Sequence, residues 1–108
     1  MKHAKAISAV AICVALPLSA GAAVPAAEGT ALSARYNCSA CHAQDKKVVG
    51  PSYQEVAKKY SGDASAAAKL AAKVKAGGSG VWGSMPMPPN NVPDADLKKL
   101  IDWILAAG

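Results

Sequence analysis

The feature that most constrains this chain is the five-residue segment CSACH, residues 38–42. Cys38, Cys41 and His42 occupy positions i, i+3 and i+4, which share one face of a helical turn. A single turn therefore presents two sulfur atoms and one imidazole to the same neighbour. The whole chain holds only three cysteines and two histidines, so its ligand chemistry is concentrated in this segment.

The spacing C-x-x-C-H is the attachment signature of a c-type haem. Cys38 and Cys41 can reach the two vinyl groups along one porphyrin edge and form thioethers with them. His42 can then place one ring nitrogen on the iron, and its other nitrogen needs an acceptor that fixes the ring orientation. The segment predicts one covalently bound haem c with His42 as an iron ligand.

Three other interpretations of the two cysteines are weaker. A thioredoxin-like dithiol would need a βαβ context, and no alternating strand pattern is present. A disulfide between Cys38 and Cys41 would close so small a loop that it would stabilise the fold little. A zinc site would need a second pair of ligands, and the other histidine, His3, lies in the N-terminal segment.

The N-terminal segment has the order of a secretory signal peptide. Lys2 and Lys5 precede an apolar, uncharged run, and small residues follow it. The apolar run is short for a bilayer span, so we expect cleavage after Ala22 and no stable membrane insertion afterwards. Residues 1–22 are thus predicted to direct export to the periplasm, and residues 23–108 to form one domain.

The rest of the chain predicts short helices. Thr30 is a candidate N-cap for a helix that runs up to the cysteines, and Ser52 with Glu55 fits a capping box. An alanine-rich helix over residues 65–76 ends at glycine. The last segment, residues 94–107, is amphipathic, and its apolar positions repeat at helical spacing: Leu97, Leu100, Ile101, Ile104 and Leu105. We therefore expect an all-α fold.

The charge of the chain is moderately positive, with 12 lysines and arginines against 7 acidic residues and a net charge of +5. There is no basic tract with interleaved aromatic residues, so nucleic acid is not an expected partner. Most lysines fall at solvent-face spacing. A mild positive field can still steer an acidic partner, and the candidates for this role are Lys46, Lys47 and Lys73.

Residues 77–93 form a loop rich in glycine and proline that contains Met85 and Met87. A methionine thioether paired with a histidine is a haem ligation that raises the reduction potential, so either methionine is a candidate distal ligand. Trp82 can donate its indole N–H to a haem propionate or pack on the haem. The match to G-x-G-x-x-G at residues 78–83 lacks the strand and helix of a dinucleotide site, and we reject that interpretation.

Four stretches in order along the chain carry a resemblance to a known family: CSACH, VVGPSY, GGSGVWGSMPMPPN and the terminal helix with Trp103. Together they resemble the short bacterial class I cytochromes c of the cytochrome c-551 type. The resemblance covers nearly all of residues 23–108. It implies the class I cytochrome c fold, in which short helices wrap around one covalently bound haem.

The resemblance also assigns roles to individual residues. The methionine of PMPPN is the distal ligand, which falls on Met87, whereas Met85 falls at a variable position. It implies that Pro51 lends its carbonyl to the histidine N–H, that Trp82 reaches a propionate, and that Asn90 lies near the methionine sulfur. The chain departs from the family pattern at two places, with Asn37 where glycine is common and Pro93 where serine is common.

The expected function is that of a periplasmic carrier of single electrons between respiratory or denitrification proteins, and not that of an enzyme. The resemblance implies a haem-containing nitrite reductase, a terminal oxidase or a bc-type complex as partners, and a monomer is the expected state. The alternatives are a peroxidase-like haem enzyme or gas sensor with an open iron site, and a thiol–disulfide oxidoreductase.

Overall fold

The computed structural model describes residues 5–15 and 23–108. The predicted cleavage point after Ala22 lies outside the described residues. Residues 5–15 have no regular secondary structure and are exposed to solvent. In these two ranges, no helix combines the length and the apolar character that crossing a bilayer requires.

The described residues form four α-helices and one short 3₁₀ turn. The helices are α1 (Ala26–Arg35), α2 (Tyr53–Lys59), α3 (Ala66–Ala76) and α4 (Asp94–Leu105), and the 3₁₀ turn spans Cys38–Ala40. The described part of the chain contains no β-strand beyond two isolated bridges. The predicted all-α fold is therefore confirmed.

The first helix begins five residues earlier than the sequence indicated. Thr30 was the predicted N-cap, but it lies inside α1, where its hydroxyl donates to the Ala26 carbonyl at 2.9 Å. The helix begins after Pro25, whose carbonyl accepts the N–H of Gly29 at 3.1 Å. Proline is tolerated at this N-cap because it precedes the first helical residue, so its missing N–H removes no hydrogen bond of the helix.

The local signals for α2 and α3 are confirmed. The Ser52 hydroxyl accepts the Glu55 N–H at 3.1 Å and the Glu55 carboxylate accepts the Ser52 N–H at 3.0 Å, which completes the capping box. The C-terminal end of α3 is also as predicted, because the helix ends at Gly77, which has a φ of 68°. Glycine adopts this conformation without steric cost.

Helix α4 is the centre of the domain because it packs against each of the other three helices. Its buried side chains Leu97, Leu100 and Ile101 meet Leu32 of α1, Val56 of α2 and Leu70 of α3 in one apolar cluster that also includes Val92. Ile104 and Leu105 pack against this cluster while remaining partly exposed. The apolar stripe predicted from the sequence is the face that holds the helices together.

Two of the contacts between α1 and α4 involve aromatic side chains. A Cβ placed on Gly29 would lie 2.2 Å from Cγ of Trp103, so only glycine lets the indole approach the helix backbone this closely. Just after the other end of α1, the Tyr36 hydroxyl donates to the Asp96 carboxylate at 2.5 Å. This bond raises the pKa of Tyr36, because it stabilises the protonated phenol beside an anion.

The segment before α3 is organised by Asp63. One of its carboxylate oxygens accepts both the Ser65 hydroxyl at 2.6 Å and the Ser65 N–H at 2.8 Å, and the other accepts Lys69 at 2.9 Å. These bonds, led by the one from the Ser65 hydroxyl, lower the pKa of Asp63 from its ordinary value of 3.8 to about 2. The ionised carboxylate is thus favoured by the folded state.

The substitution Gly29→Ala tests the close contact between α1 and α4. Alanine is favoured over glycine inside a helix by about 1 kcal/mol, whereas overpacking costs about 1–3 kcal/mol. Because the added methyl group would overlap the indole, we expect a lower free energy of unfolding, measured by denaturant titration. Ala31→Gly, at an exposed position of the same helix, measures how much the helix propensities of alanine and glycine alone change the free energy of unfolding. A Gly29→Ala protein that is more stable than the parent would contradict the close contact.

Because the pKa of Asp63 is lowered in the folded state, we expect part of the free energy of unfolding to depend on pH in the acid range. The folded-state pKa lies below the unfolded one, so this contribution is present above about pH 4 and is lost as pH falls towards 2. We expect the difference in unfolding free energy between the parent protein and Asp63→Asn to shrink across this window. Asp45→Asn, which removes a carboxylate from an exposed loop, is the matched control and should show a smaller change.

Candidate functional site

The three residues of the C-x-x-C-H segment lie on one turn, as predicted. The 3₁₀ turn over Cys38–Ala40 continues to His42, whose N–H donates to the Cys38 carbonyl at 2.9 Å. The residue before the turn, Asn37, has a φ of 60° in the left-handed region. Asparagine tolerates this region better than most residues, which explains how it can replace the glycine common here in the resembling family.

Both cysteine side chains are half-buried free thiols. Burial raises the pKa of the Cys38 thiol above its ordinary value, so the neutral thiol is favoured. Reactive cysteines of disulfide oxidoreductases have a lowered pKa because the thiolate is the nucleophile. The environment of Cys38 therefore argues against the thiol–disulfide alternative, as does the all-α fold.

His42 is held by groups on two sides. The carbonyl oxygen of Pro51 lies 2.7 Å from its Nδ1 atom, the contact that the resemblance implied for Pro51. A Cβ on Gly50 would lie 2.6 Å from the Cε1 atom of the ring, so glycine is needed at this close approach. With Nδ1 engaged as the donor to a carbonyl, the Nε2 atom carries the lone pair that can bind a metal.

The loop between His42 and Pro51 folds back onto the cysteine turn. The carbonyl of Cys41 accepts the N–H of Gly50 at 2.8 Å and that of Val49 at 3.2 Å. Tyr53, the first residue of α2, donates its N–H to the Ala43 carbonyl at 2.9 Å. These backbone bonds bring Pro51 next to the imidazole although the two residues are nine positions apart.

Tyr53 is a site residue that the sequence interpretation did not single out. Its ring stacks beside that of His42, with centroids 5.7 Å apart and planes inclined by 26°. Its hydroxyl lies 2.6 Å from the Ser33 hydroxyl, and its ring meets Trp103 edge-on at 5.0 Å. The stretch VVGPSY contains this tyrosine, but only the three-dimensional packing reveals its neighbours.

Met87 is fixed through its backbone at the base of the glycine- and proline-rich loop. Met87 and Gly78 form an isolated antiparallel bridge in which each N–H donates to the other carbonyl at 2.9 Å. A Cβ on Gly77 would lie 2.4 Å from the Met87 carbonyl oxygen, so this glycine also permits the approach. The bridge closes the loop that contains Trp82 and Met85.

The two residues within the closed loop are accessible to solvent. Met85 is 67% exposed and Trp82 is 41% exposed, whereas Met87 is half-buried. The ammonium group of Lys59 lies 5.3 Å from the centroid of a Trp82 ring, a cation–π contact that ties the loop to the end of α2.

Asn90 connects the end of the loop to α3. Its backbone N–H donates to the Val74 carbonyl at 2.9 Å, and its side-chain amide donates to the Pro88 carbonyl at 2.8 Å. The amide thus braces the segment that follows Met87. Its expected place near the methionine sulfur remains a prediction.

The donor set fits a covalently bound haem. Two free thiols on one turn can add to two vinyl groups, and the imidazole has one nitrogen available for iron. Large apolar side chains are exposed on the two loops that follow the cysteine turn and α3: Val48, Val49, Val81, Trp82 and Met85. Such apolar surface suits the burial of a macrocycle, whereas a hydrated metal ion would need polar ligands.

Comparison with known proteins gives the same family from sequence alone. The model of the family described as cytochrome c matches residues 26–108. Cytochrome c-551 of Azotobacter vinelandii is 59% identical over 68 residues, which cover 63% of this chain and 83% of that protein. Cytochrome c-552 of Hydrogenobacter thermophilus is 56% identical over 75 residues, which cover 69% of this chain and 76% of that protein.

The fold has solved counterparts as well. The crystal structure of cytochrome c552 of Nitrosomonas europaea superposes with a TM-score of 0.71 at 52% identity, covering 73% of this chain and 99% of that one. The family match, these relatives and the turn with two thiols and an imidazole agree. The chain belongs to the cytochrome c family, in the class I monohaem group of the c-551 type, whose members are electron carriers with a covalently bound c-type haem.

Proposed function

We propose that this protein carries single electrons between redox proteins of a respiratory or denitrification chain in the periplasm and that it is not an enzyme. The bound haem supplies a one-electron iron couple. The observation that carries the proposal is the imidazole of His42 held at Nδ1 by the Pro51 carbonyl, on the same turn as Cys38 and Cys41. Cys38 and Cys41 would form the two thioethers.

His42 is the proposed proximal ligand of the iron. The hydrogen bond to Pro51 fixes the tautomer and increases the basicity of the opposite nitrogen, which strengthens its bond to a metal. Gly50 and the folded-back loop keep the ring next to the Pro51 carbonyl without the need for a charged partner. A ring held before electron transfer does not need to reorient when the iron charge changes.

Met87 is the proposed distal ligand, with Met85 as the alternative. The bridge to Gly78 fixes the Met87 backbone, whereas Met85 lies in the exposed part of the closed loop. A thioether bonds weakly to iron. A methionine whose backbone is already fixed loses less conformational freedom on binding, so it is the better ligand. Pro86 and Pro88 on either side of Met87 further restrict the chain.

Trp82 and Asn90 are proposed to support the haem from the same loop. The indole N–H of Trp82 is the donor proposed for a propionate, and Lys59 beside it adds a positive charge that favours an anion there. Asn90 braces the turn after Met87 and is proposed to lie close to its sulfur. Met87, Trp82 and Asn90 thus belong to one loop that is tied to α2 and α3.

The proposed docking of partners is brief and weak. Carrier complexes must dissociate quickly, so a small face suffices. Exposed Lys46 and Lys47 lie in the loop after His42. The Lys73 ammonium lies against Gly78, at the base of the loop that contains Met85 and Met87. These charges are proposed to orient acidic partners, with a haem-containing nitrite reductase, a terminal oxidase or a bc-type complex as candidates.

A haem enzyme or gas sensor would need an open iron position. The proposal differs because His42 and Met87 would both bind the iron, so the reduced protein should not bind carbon monoxide readily. The absorption spectrum separates the two, since a weak band at the red end of the oxidised spectrum reports sulfur bound to iron.

Replacing Met87 by alanine is expected to abolish that sulfur-to-iron band and to lower the reduction potential, because a methionine ligand raises the potential. The reduced variant should also bind carbon monoxide. Met85→Ala is the matched control, since it removes a thioether two residues away, and its spectrum should match that of the parent. Spectra with carbon monoxide and a potentiometric titration measure these effects.

An unchanged band in Met87→Ala together with a lost band in Met85→Ala would transfer the role of ligand to Met85. A band that persists in both single variants would contradict methionine ligation by this loop.

Export predicts a defined N-terminus. We expect the mature protein from the periplasmic fraction of a haem-attaching host to begin at Ala23, because the small residues before it fit a cleavage site. Intact-mass analysis, with the mass of one covalently attached haem added, measures this. A mass that corresponds to the full 108 residues plus haem would show that the N-terminal segment is retained.

A further inference from the structure

We propose that Tyr53 is a positioning residue for the imidazole of His42 and that the Ser33 hydroxyl locks Tyr53 in place. This inference rests on the proposed function in that His42 is taken as an iron ligand. The carbonyl of Pro51 fixes one edge of the ring, but a single hydrogen bond leaves the ring free to rotate about that contact. A second contact on the ring face is needed to fix its plane.

Tyr53 supplies that second contact. Its ring lies 5.7 Å from the His42 ring between centroids, at an interplanar angle of 26°, within the range of stacked aromatic pairs. Tyr53 is only 5% exposed, so its ring is enclosed by the protein. Pro51 then restrains the imidazole at its Nδ1 atom, and Gly50 restrains it at the ring edge near Cε1. Tyr53 restrains it on one face of the ring.

The position of Tyr53 is itself fixed by three different elements. Its N–H donates to the Ala43 carbonyl, which directly follows His42 in the chain, at 2.9 Å. Its ring meets Trp103 of α4 edge-on at 5.0 Å, and Trp103 in turn lies against Gly29 of α1. The contact between α1 and α4 at Gly29 and Trp103 therefore helps to fix the position of the tyrosine ring that stacks on His42.

The hydroxyl bond is the most specific of these contacts. The Tyr53 and Ser33 oxygens are 2.6 Å apart and both residues are buried. A buried hydroxyl that loses its hydrogen-bond partner lowers the free energy of unfolding, so the Ser33 hydroxyl keeps the tyrosine ring from shifting relative to α1.

The experiment compares Tyr53→Phe, Ser33→Ala and the double variant, each as the haem-loaded protein. The readout is the set of paramagnetic NMR shifts of the haem methyl groups in the oxidised state, which follow the orientations of both axial ligands. A change in these shifts is assigned to the imidazole when the sulfur-to-iron band stays as in the parent. We expect each single variant to shift the methyl pattern in the same direction. The double variant should go no further than the larger single change, because both substitutions break one bond.

Val56→Ala is the control for stability alone. Val56 is a buried core residue of the same helix, and its truncation should lower the thermal midpoint by creating a cavity. Its methyl pattern should match that of the parent. Methyl shifts that stay unchanged in Tyr53→Phe and Ser33→Ala while stability falls would assign Tyr53 a packing role and overturn the proposal.

Failure of this proposal is distinguishable from failure of the proposed function. Between proteins that share the same distal ligand, a difference in methyl shifts reports on the histidine, whereas the sulfur-to-iron band reports on Met87. A parent protein without that band but with methyl shifts that respond to Tyr53→Phe would overturn methionine ligation and retain the role of Tyr53. The opposite result would retain the carrier and remove the positioning role.

Discussion

The hydrogen bond between the Pro51 carbonyl and the Nδ1 atom of His42 is the constraint on which the site depends. It spans 2.7 Å and exists only because the loop after His42 folds back onto the Cys41 carbonyl. By engaging one ring nitrogen, it leaves the opposite nitrogen available to bind a metal. The capping box at the start of α2 begins at Ser52, the next residue, so the helix start and the acceptor are fixed together.

The remaining helices turn this local arrangement into a stable site. Helix α4 packs against α1, α2 and α3, and a small domain of this kind has little apolar core to spare. A covalently bound macrocycle adds apolar surface for the loops to cover. The loop that contains Met87 is anchored separately, through the bridge between Gly78 and Met87, so backbone groups fix the positions of both His42 and Met87.

Local signals predicted much of the fold because they depend on nearby residues. The Ser52–Glu55 capping box, the stop at Gly77 and the apolar stripe of α4 all follow from short-range geometry. The start of α1 was predicted wrongly. Thr30 is a good N-cap in isolation, but Pro25 begins the helix and the added turn places Gly29 against Trp103, a contact 74 positions along the chain.

The sequence by itself determined the chemistry: two thiols and an imidazole on one turn identify a covalent haem, since the spacing 38, 41 and 42 is a property of one helical turn. The tertiary structure decided what surrounds that turn. Tyr53 stacks on His42, and Ser33 and Trp103 hold Tyr53, although all three come from different helices. Such contacts arise from the packing of distant segments, which no local pattern of residues encodes.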